Sequence, residues 1–188
     1  MDSLLPPGAI HQGVALSVKP LEPVYLEDII RLTQSKERSV LLILDQVTDP
    51  HNIGAILRSS AAFNADAVIL PDANAPEETG TLAKSACGAL ESVPLGRVAN
   101  LVRAIQELKD AGYWVLGLDG YADQFITDDK LPAKTVFVLG SEGEGMRRLT
   151  AEKCDYTIKL PICDKMESLN VSNAAAIALY EFYRSSRA

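Results

Sequence analysis

The sequence predicts an α/β fold in which helices flank a mainly parallel sheet. Several short apolar runs are unbroken, as expected for strands that are buried on both faces. These runs alternate along the chain with segments that carry apolar residues at helical spacing, which indicates a parallel sheet rather than a meander. The 188 residues fit one domain.

The chain divides into an N-terminal extension or linker, residues 1–38, and an α/β domain, residues 39–188. The first 38 residues lack strong periodicity and contain four prolines. Within them, only the apolar stretch Val14–Val18 is a candidate strand. The α/β pattern starts at Val40, and we therefore expect the domain to begin there.

The predicted elements follow in regular order. Val40–Leu44 is a strand, and turn and cap residues at Asp49–Asn52 lead into a helix. The other predicted strands are Ala67–Leu70, Tyr113–Leu118, Val136–Leu139 and Tyr156–Leu160. The other predicted helices are Thr79–Cys87, Val98–Ala111 and a final helix from about Asn170 to near the end.

Composition excludes several classes of protein. A net charge of −7 argues against a general polyanion binder, so any RNA would have to meet a local basic surface. No apolar run approaches the roughly 20 residues that span a bilayer, and no secretory signal is visible, so we expect a cytoplasmic protein without a membrane anchor. The odd number and wide spacing of the cysteines favour buried, reduced thiols over disulfides or zinc ligands: Cys87, Cys154 and Cys163.

Three stretches follow predicted strands, where a parallel sheet places its ligand-binding loops. They are Asp45–Arg58, Leu139–Met146 and Leu160–Ser172. The second is glycine-rich, which lets backbone amides approach a ligand closely. Its glycines follow the order G-x-x-G-x-G without Gly-Lys-Ser/Thr, so it is neither a Rossmann fingerprint nor a P-loop. A tight strand-to-helix turn is the alternative explanation.

In residues and in order, the three stretches resemble the signature motifs of SpoU-type RNA 2′-O-ribose methyltransferases of the SPOUT superfamily. The stretches Leu44–Asn52 and Gly143–Thr150 are most similar to bacterial members that methylate a guanosine of 23S ribosomal RNA. The resemblance covers roughly Val40 to the C-terminus. It implies a C-terminal deep trefoil knot, S-adenosylmethionine as methyl donor, no metal, and a homodimer with sites near the interface.

The resemblance also implies which residues form the site. The methyl donor is expected at Leu139, Gly140, Leu160, Ser168 and Leu169, largely through backbone groups. The expected catalytic residues are Asn52, Arg58, Glu142, Ser168 and Asn170. Structural alternatives remain open: Asn52 as a helix cap, Glu142 beside a helix N-terminus, Ser168 or Asn170 at a helix start, and Arg58 as a solvated cation.

Arg58 follows Asn52 by six positions, close to two helical turns, and we therefore expect both on nearly the same helical flank. A ribose hydroxyl needs help to lose its proton before it attacks the sulfonium methyl group. A guanidinium with a pKa above about 12 is an awkward base. Arg58 therefore either assists proton loss or holds the adjacent phosphate and stabilises the developing alkoxide.

Other functions also remain open. The same motifs serve transfer-RNA ribose methylation, and the acidic charge favours a non-catalytic RNA-binding or ribosome-assembly module that retains the fold. The complete polar set argues against the second alternative, and the SpoU form of the motifs disfavours methylation of a base nitrogen. The predicted RNA-facing patch, whose alternative is ordinary solvated charge, comprises Lys84, Arg97, Arg103, Arg147, Arg148, Lys153, Lys159 and Lys165.

Overall fold

A seven-stranded parallel sheet forms the centre of the computed structural model, which describes residues 13–73, 75–163 and 165–185. The strands are β1 (Ser39–Leu44), β2 (Ala67–Pro71), β3 (Leu95–Val98), β4 (Trp114–Leu118), β5 (Gln124–Phe125), β6 (Lys134–Leu139) and β7 (Tyr156–Lys159). Their order in the sheet is β3-β2-β1-β6-β4-β7-β5, and all neighbours are parallel. The predicted parallel sheet is therefore confirmed.

Helices cover both faces of this sheet. They are α1 (Leu26–Thr33), α2 (Pro50–Ala62), α3 (Gly80–Ala86), α4 (Leu101–Asp110), α5 (Arg148–Ala151) and α6 (Val171–Ser185), with a short 3₁₀ turn at Ala89–Glu91. None of the helices within the described ranges is long and apolar enough to cross a membrane.

Strand β1 explains how one apolar run serves two cores. All six of its residues are buried, and it pairs with β6 along its whole length. Successive side chains of a strand point to opposite faces. Leu42 and Leu44 therefore join the core under α2, α3 and α6, while Leu41 and Ile43 join the core under α1 and α4.

Helix α2 begins at the carboxyl end of β1, and its start is defined by the local sequence. The Asp49 carboxylate accepts a hydrogen bond from the His51 backbone N–H at 2.9 Å, and Pro50 occupies the first helical position. The helix cap is thus Asp49, and the capping alternative for Asn52 is wrong. The Asn52 side chain is free for other contacts.

Four elements were not predicted. Strand β5 and helix α5 are only two and four residues long, too short for a recognisable pattern, and Gly96 and Arg97 interrupt the apolar run of β3. Helix α1 lies in the predicted extension, yet Leu26 and Ile29 are buried in the core below the sheet.

The segment Val14–Val18 forms no strand; its apolar side chains are exposed and it pairs with no other strand. Residues 1–12 of the predicted extension lie outside the described residues.

The cysteines differ from the prediction of buried thiols. All three are free, but Cys87 and Cys163 are exposed. Only Cys154 is largely covered, and its burial, together with the nearby Asp155 charge, raises the thiol pKa to about 12. Both exposed thiols lie on loops, whereas Cys154 packs below β4 against Gly117.

Candidate active site

A cavity of about 480 Å³ opens at the carboxyl ends of β4, β6 and β7. Its wall is formed by Leu118–Tyr121 at the end of β4, by Leu139–Met146 at the end of β6, and by residues between β7 and α6. Parallel sheets bind ligands at this edge. The volume falls within the roughly 300–1,000 Å³ typical of small-molecule sites.

All five residues expected to hold the methyl donor line this cavity. They are Leu139, Gly140, Leu160, Ser168 and Leu169. Leu139 is the buried last residue of β6, and Leu160 directly follows β7. Within the described ranges the Ser168 side chain has no hydrogen-bond partner, so its hydroxyl is available to a ligand.

The glycine-rich turn after β6 folds back on its own beginning. Ser141 and Gly145 exchange two backbone hydrogen bonds of 3.1 and 3.0 Å. Gly143 and Gly145 have positive φ angles of 87° and 71°, which favour glycine. A Cβ atom at Gly140 would lie 2.0 Å from the Gly145 carbonyl carbon, so no other residue fits there. The turn, which lines the cavity, therefore depends on its glycines for its shape.

A buried carboxylate anchors the far end of this turn. Asp45, which is 0% exposed, accepts hydrogen bonds from the Arg147 backbone N–H at 2.9 Å and from Arg147 Nε at 2.7 Å. Its own backbone N–H donates to the Leu139 carbonyl oxygen at 2.7 Å. Asp45 thus ties β1, β6 and the turn together. The sequence signal for this role is an acidic residue that directly follows a buried strand.

A polar cluster joins the three sequence motifs. Asn170 Nδ2 donates to Glu142 Oε1 at 2.5 Å and to Asn52 Oδ1 at 3.0 Å. Asn52 Nδ2 also donates to Glu142 Oε1, at 3.4 Å. One residue comes from each motif, so the fold brings distant segments of the chain into direct contact.

Two members of this polar cluster also organise the start of α6. Asn170 Oδ1 accepts hydrogen bonds from the Ser172 backbone N–H at 2.9 Å and from the Ser172 hydroxyl at 2.6 Å. Glu142 Oε1 accepts the Val171 backbone N–H at 3.4 Å. The Glu142 carboxylate therefore lies at the positive end of α6. Capping and membership of the cluster coexist in these residues.

Arg58 lies apart from this polar cluster. It is exposed, does not line the cavity, and donates from Nη1 to Cys87 Sγ at 3.8 Å. Six helical residues correspond to about 600° and 9 Å, so Arg58 lies about 120° around α2 from Asn52. The expectation of a shared flank is wrong. Within one chain the structure does not bring Arg58 to Glu142 and Asn170.

Sequence reasoning missed the cavity wall that follows β4. Asp119, Gly120 and Tyr121 belong to it, together with Phe125. The place of this loop beside the cavity depends on β4 lying between β6 and β7 in the sheet. That order has no signal in the sequence of the loop itself.

The chemistry of the site rests on two amides, one carboxylate and one hydroxyl beside a cavity with both polar and apolar walls. Among the described residues, no three His, Cys, Asp or Glu side chains are grouped as metal ligands would be. Together, fold and site define an α/β domain that binds a small ligand at its strand ends. The sequence profile of the SpoU rRNA Methylase family matches residues 39–180, and the chain belongs to that family.

Two curated relatives are similar over most of the chain. The chain is 48% identical to the 23S rRNA (guanosine-2′-O-)-methyltransferase RlmB of Photobacterium profundum over 177 residues, 94% of this chain and 72% of the relative. It is 46% identical to the enzyme of the same name from Escherichia coli K12, with coverage of 94% and 73%.

Solved structures agree with this assignment. The AdoMet complex of the SpoU methyltransferase AviRb from Streptomyces viridochromogenes superposes with a TM-score of 0.75 at 29% identity, covering 81% of this chain. The AdoMet-bound rRNA methyltransferase from Sinorhizobium meliloti gives a TM-score of 0.77 at 26% identity, covering 87%. The matched parts amount to 60% and 61% of those two chains.

Proposed function

We propose that this chain transfers a methyl group from S-adenosylmethionine to a ribose 2′-hydroxyl, in a guanosine of 23S ribosomal RNA. The observation that carries the proposal is the contact of Asn52, Glu142 and Asn170 beside a cavity lined by the expected donor-binding residues. The curated relatives bear the name of this reaction, and two similar structures contain AdoMet.

The methyl donor would lie in the cavity against Leu139, Gly140, Leu160, Ser168 and Leu169. Backbone groups of the glycine-rich turn suit the polar edges of a nucleoside, and the leucines suit its apolar face. Bound there, S-adenosylmethionine supplies an electrophilic methyl group. The chain's own contribution is to hold the ribose oxygen in line and to exclude alternative positions.

Glu142 is proposed to orient the amides and, through them, the ribose. Its Oε1 atom accepts from both Asn52 and Asn170, which holds the two amides in one arrangement. Charge-assisted hydrogen bonds of this kind are stronger than neutral ones. The preorganised cluster would meet the hydroxyl without having to rearrange.

Arg58 is proposed to act across a homodimer contact, because in one chain it does not line the cavity. The outer face of α6 offers Ile177 and Tyr180 for such a contact, at 37% and 48% exposure, while its inner face is core. In this position a guanidinium would stabilise a phosphate or an alkoxide rather than remove a proton. Near-wild-type methylation by Arg58→Lys at neutral pH would contradict a special guanidinium role.

We also propose the finer architecture that the resemblance implies. Residues 39–188 would form the methyltransferase domain and residues 1–38 an extension, in keeping with a family match that starts at residue 39.

The C-terminal segment would form a trefoil knot. In support, the Glu167 carbonyl lies against Gly120 while α6 packs on α2. Tracing the path from β7 to α6 in an experimental map tests the knot. We propose a cytoplasmic location, where ribosomal RNA is available.

The direct test is methyl transfer in vitro. Purified protein is incubated with radiolabelled S-adenosylmethionine and either unmodified 23S ribosomal RNA or transfer RNA, and the modified ribose is mapped. We expect one guanosine of 23S RNA to become labelled, and Glu142→Gln to lose at least tenfold in rate. Label in transfer RNA alone would show that the substrate is transfer RNA and not 23S ribosomal RNA. No donor binding at millimolar concentration by calorimetry would identify a binding-only module.

A further inference from the structure

The loop that follows β4 brings a carboxylate to the wall of the cavity. Asp119 lines the cavity together with Gly120 and Tyr121. The side-chain oxygen Oδ1 of Asp119 accepts a hydrogen bond from the Tyr121 backbone N–H at 2.9 Å. Both partners of this bond belong to the same wall, so the bond fixes the carboxylate within it.

The backbone of Asp119 is fixed as well. Its N–H donates to the Ile158 carbonyl oxygen of β7 at 3.0 Å. On the other side, β4 pairs with β6, and Gly117 lies opposite Val138. Continued by two residues, this pairing places Asp119 level with Gly140, where the glycine-rich turn begins. Since neighbouring strands lie about 4.8 Å apart, Asp119 is a firmly held neighbour of that turn.

The Asp119 carboxylate keeps part of its capacity to accept hydrogen bonds. Within the described ranges its Oδ2 atom has no hydrogen-bond partner, and no cation lies within 4 Å of either oxygen. Strand β7 ends beside it in Lys159, but the Lys159 ammonium lies 4.8 Å from the centre of the Phe125 ring. An ionised carboxylate is an acceptor only. Oδ2 therefore suits a ligand that donates.

The other described carboxylates of the cavity differ from Asp119. Glu142 already accepts from both amides of the polar cluster. Glu144 and Glu167 are exposed, whereas Asp119 is half-buried. A hydrogen bond is electrostatically stronger where water is partly excluded. Of these carboxylates, Asp119 is therefore the one best placed to bind a ligand in the cavity.

A ribose matches this acceptor, because its two adjacent hydroxyl groups both donate. In α/β domains that bind dinucleotides, an acidic residue near the glycine-rich loop accepts a ribose hydroxyl in the same way. We propose that Asp119 binds the ribose hydroxyl groups of S-adenosylmethionine and is a specificity-determining residue for the donor. The inference rests on the proposed function, which supplies the donor.

The order of the strands agrees with this division of the site. Asp119 follows β4, on one side of β6, whereas Asn52 of the polar cluster lies on α2, which follows β1 on the other side. A sugar held at Asp119 leaves the space beside Glu142 to the methyl group and the RNA.

The test is calorimetry with the full chain and two variants. The probes are S-adenosylmethionine and its 2′,3′-dideoxy analogue, which lacks both ribose hydroxyl groups. Asp119→Asn removes the charge but keeps an oxygen for the Tyr121 N–H, so the loop should keep its shape. The matched control is Asp123→Asn, because Asp123 is an exposed acid of the same loop that does not line the cavity.

We expect the unaltered chain to bind S-adenosylmethionine about twentyfold more tightly than the dideoxy analogue, because hydrogen bonds to a charged group are the strong ones. Asp119→Asn should weaken binding of S-adenosylmethionine about tenfold and leave the analogue nearly unchanged, which reduces the preference to about twofold. Asp123→Asn should keep the full preference. Equal losses for both ligands in Asp119→Asn, or an unchanged preference, would overturn the site.

A third probe separates the ribose from the methionine part of the donor. If Asp119 held the methionine ammonium instead, Asp119→Asn would lose affinity for S-adenosylmethionine but not for an analogue without the amino group, and the ribose assignment would be refuted. Absence of S-adenosylmethionine binding by the unaltered chain would contradict the proposed function as well. Donor binding with an unchanged hydroxyl preference in Asp119→Asn would contradict the ribose site alone.

Discussion

At the scale of single residues, Asn170 serves two structures at once. Its amide nitrogen contacts Glu142 and Asn52, while its amide oxygen caps the first turn of α6. A substitution that removes both the cluster contacts and the helix cap cannot show which of the two matters. Serine keeps a capping oxygen but is too short to bridge to Glu142, and it therefore separates them.

We predict that Asn170→Ala lowers the free energy of unfolding by about 1 kcal/mol through the lost cap, and that Asn170→Ser changes it by only a few tenths. Both variants should lose at least tenfold in methyl-transfer rate, because neither holds Glu142. Urea denaturation and initial rates measure the two effects. A fully active Asn170→Ser enzyme would show that the bridge to Glu142 is dispensable.

The adjacent residues Arg147 and Arg148 offer a matched comparison. Arg147 pairs with fully buried Asp45, whereas Arg148 pairs with exposed Glu152 one helical turn away. We predict that Arg147→Gln lowers the free energy of unfolding by about 2 kcal/mol, because it leaves the buried Asp45 carboxylate partly unpaired. Since Arg147 itself is half-exposed, this loss should be smaller than that for a fully buried ion pair. Arg148→Gln should cost less than about 0.5 kcal/mol.

Chemical denaturation measures both values, and calorimetry should show weaker donor binding for Arg147→Gln alone, since Arg147 anchors the turn that lines the cavity. Equal stabilities of the two variants would contradict an anchoring role for Asp45.

The thiols should differ in reactivity. Burial raises the Cys154 pKa to about 12, so this thiol remains protonated in the folded protein at pH 8. We predict that an aromatic disulfide reagent modifies Cys87 and Cys163 rapidly and Cys154 only after unfolding. Because the folded-state pKa is raised, this group favours the folded state below pH 9 and less so as the pH rises toward 12. Equal modification rates for the three thiols would contradict the burial of Cys154.

At the scale of elements, the contact between α2 and α3 depends on a missing side chain. A Cβ atom at Gly54 would lie 2.5 Å from Ser85 Cβ and 2.9 Å from the Ala86 backbone nitrogen. Gly80, at the start of α3, has open space around the same position. The close approach also sets how Arg58 on α2 meets Cys87 after α3.

We predict that Gly54→Ala lowers the free energy of unfolding by about 1–3 kcal/mol, although alanine favours helices, because the two helices must move apart. Gly80→Ala should be neutral or slightly stabilising. Urea denaturation compares the variants. A Gly54→Ala protein that is more stable than the wild type would show that α2 and α3 can move apart at little cost.

At the scale of the whole molecule, the position of Arg58 bears on assembly. If Arg58 serves the partner's cavity, co-expressed Arg58→Gln and Glu142→Gln chains restore one complete site in each mixed dimer. With random pairing, we predict recovery of about a quarter of wild-type activity from two inactive parents. Light scattering measures the dimer mass. No recovery in confirmed mixed dimers would place Arg58 in its own chain's site.

Much of the fold could be predicted from the sequence, because short segments of the chain encode it. Val40–Leu44 and Val136–Leu139 are unbroken apolar runs, and all their residues are buried at the centre of the sheet. Strand β3 escaped detection because Gly96 and Arg97 interrupt its pattern. Val14–Val18 has a strand-like composition but no partner strand, and hydrogen bonds between strands are what make a sheet.

The sequence by itself determined the α/β class, the three loops and five of the residues that line the cavity, because burial patterns and glycine positions are properties of short segments. Only the tertiary structure decided which side chains meet: Asn52 with Glu142 and Asn170, Asp45 with Arg147, and Arg58 with Cys87. Such contacts depend on strand order and helix rotation, which arise from packing the whole chain and leave no mark on any one segment.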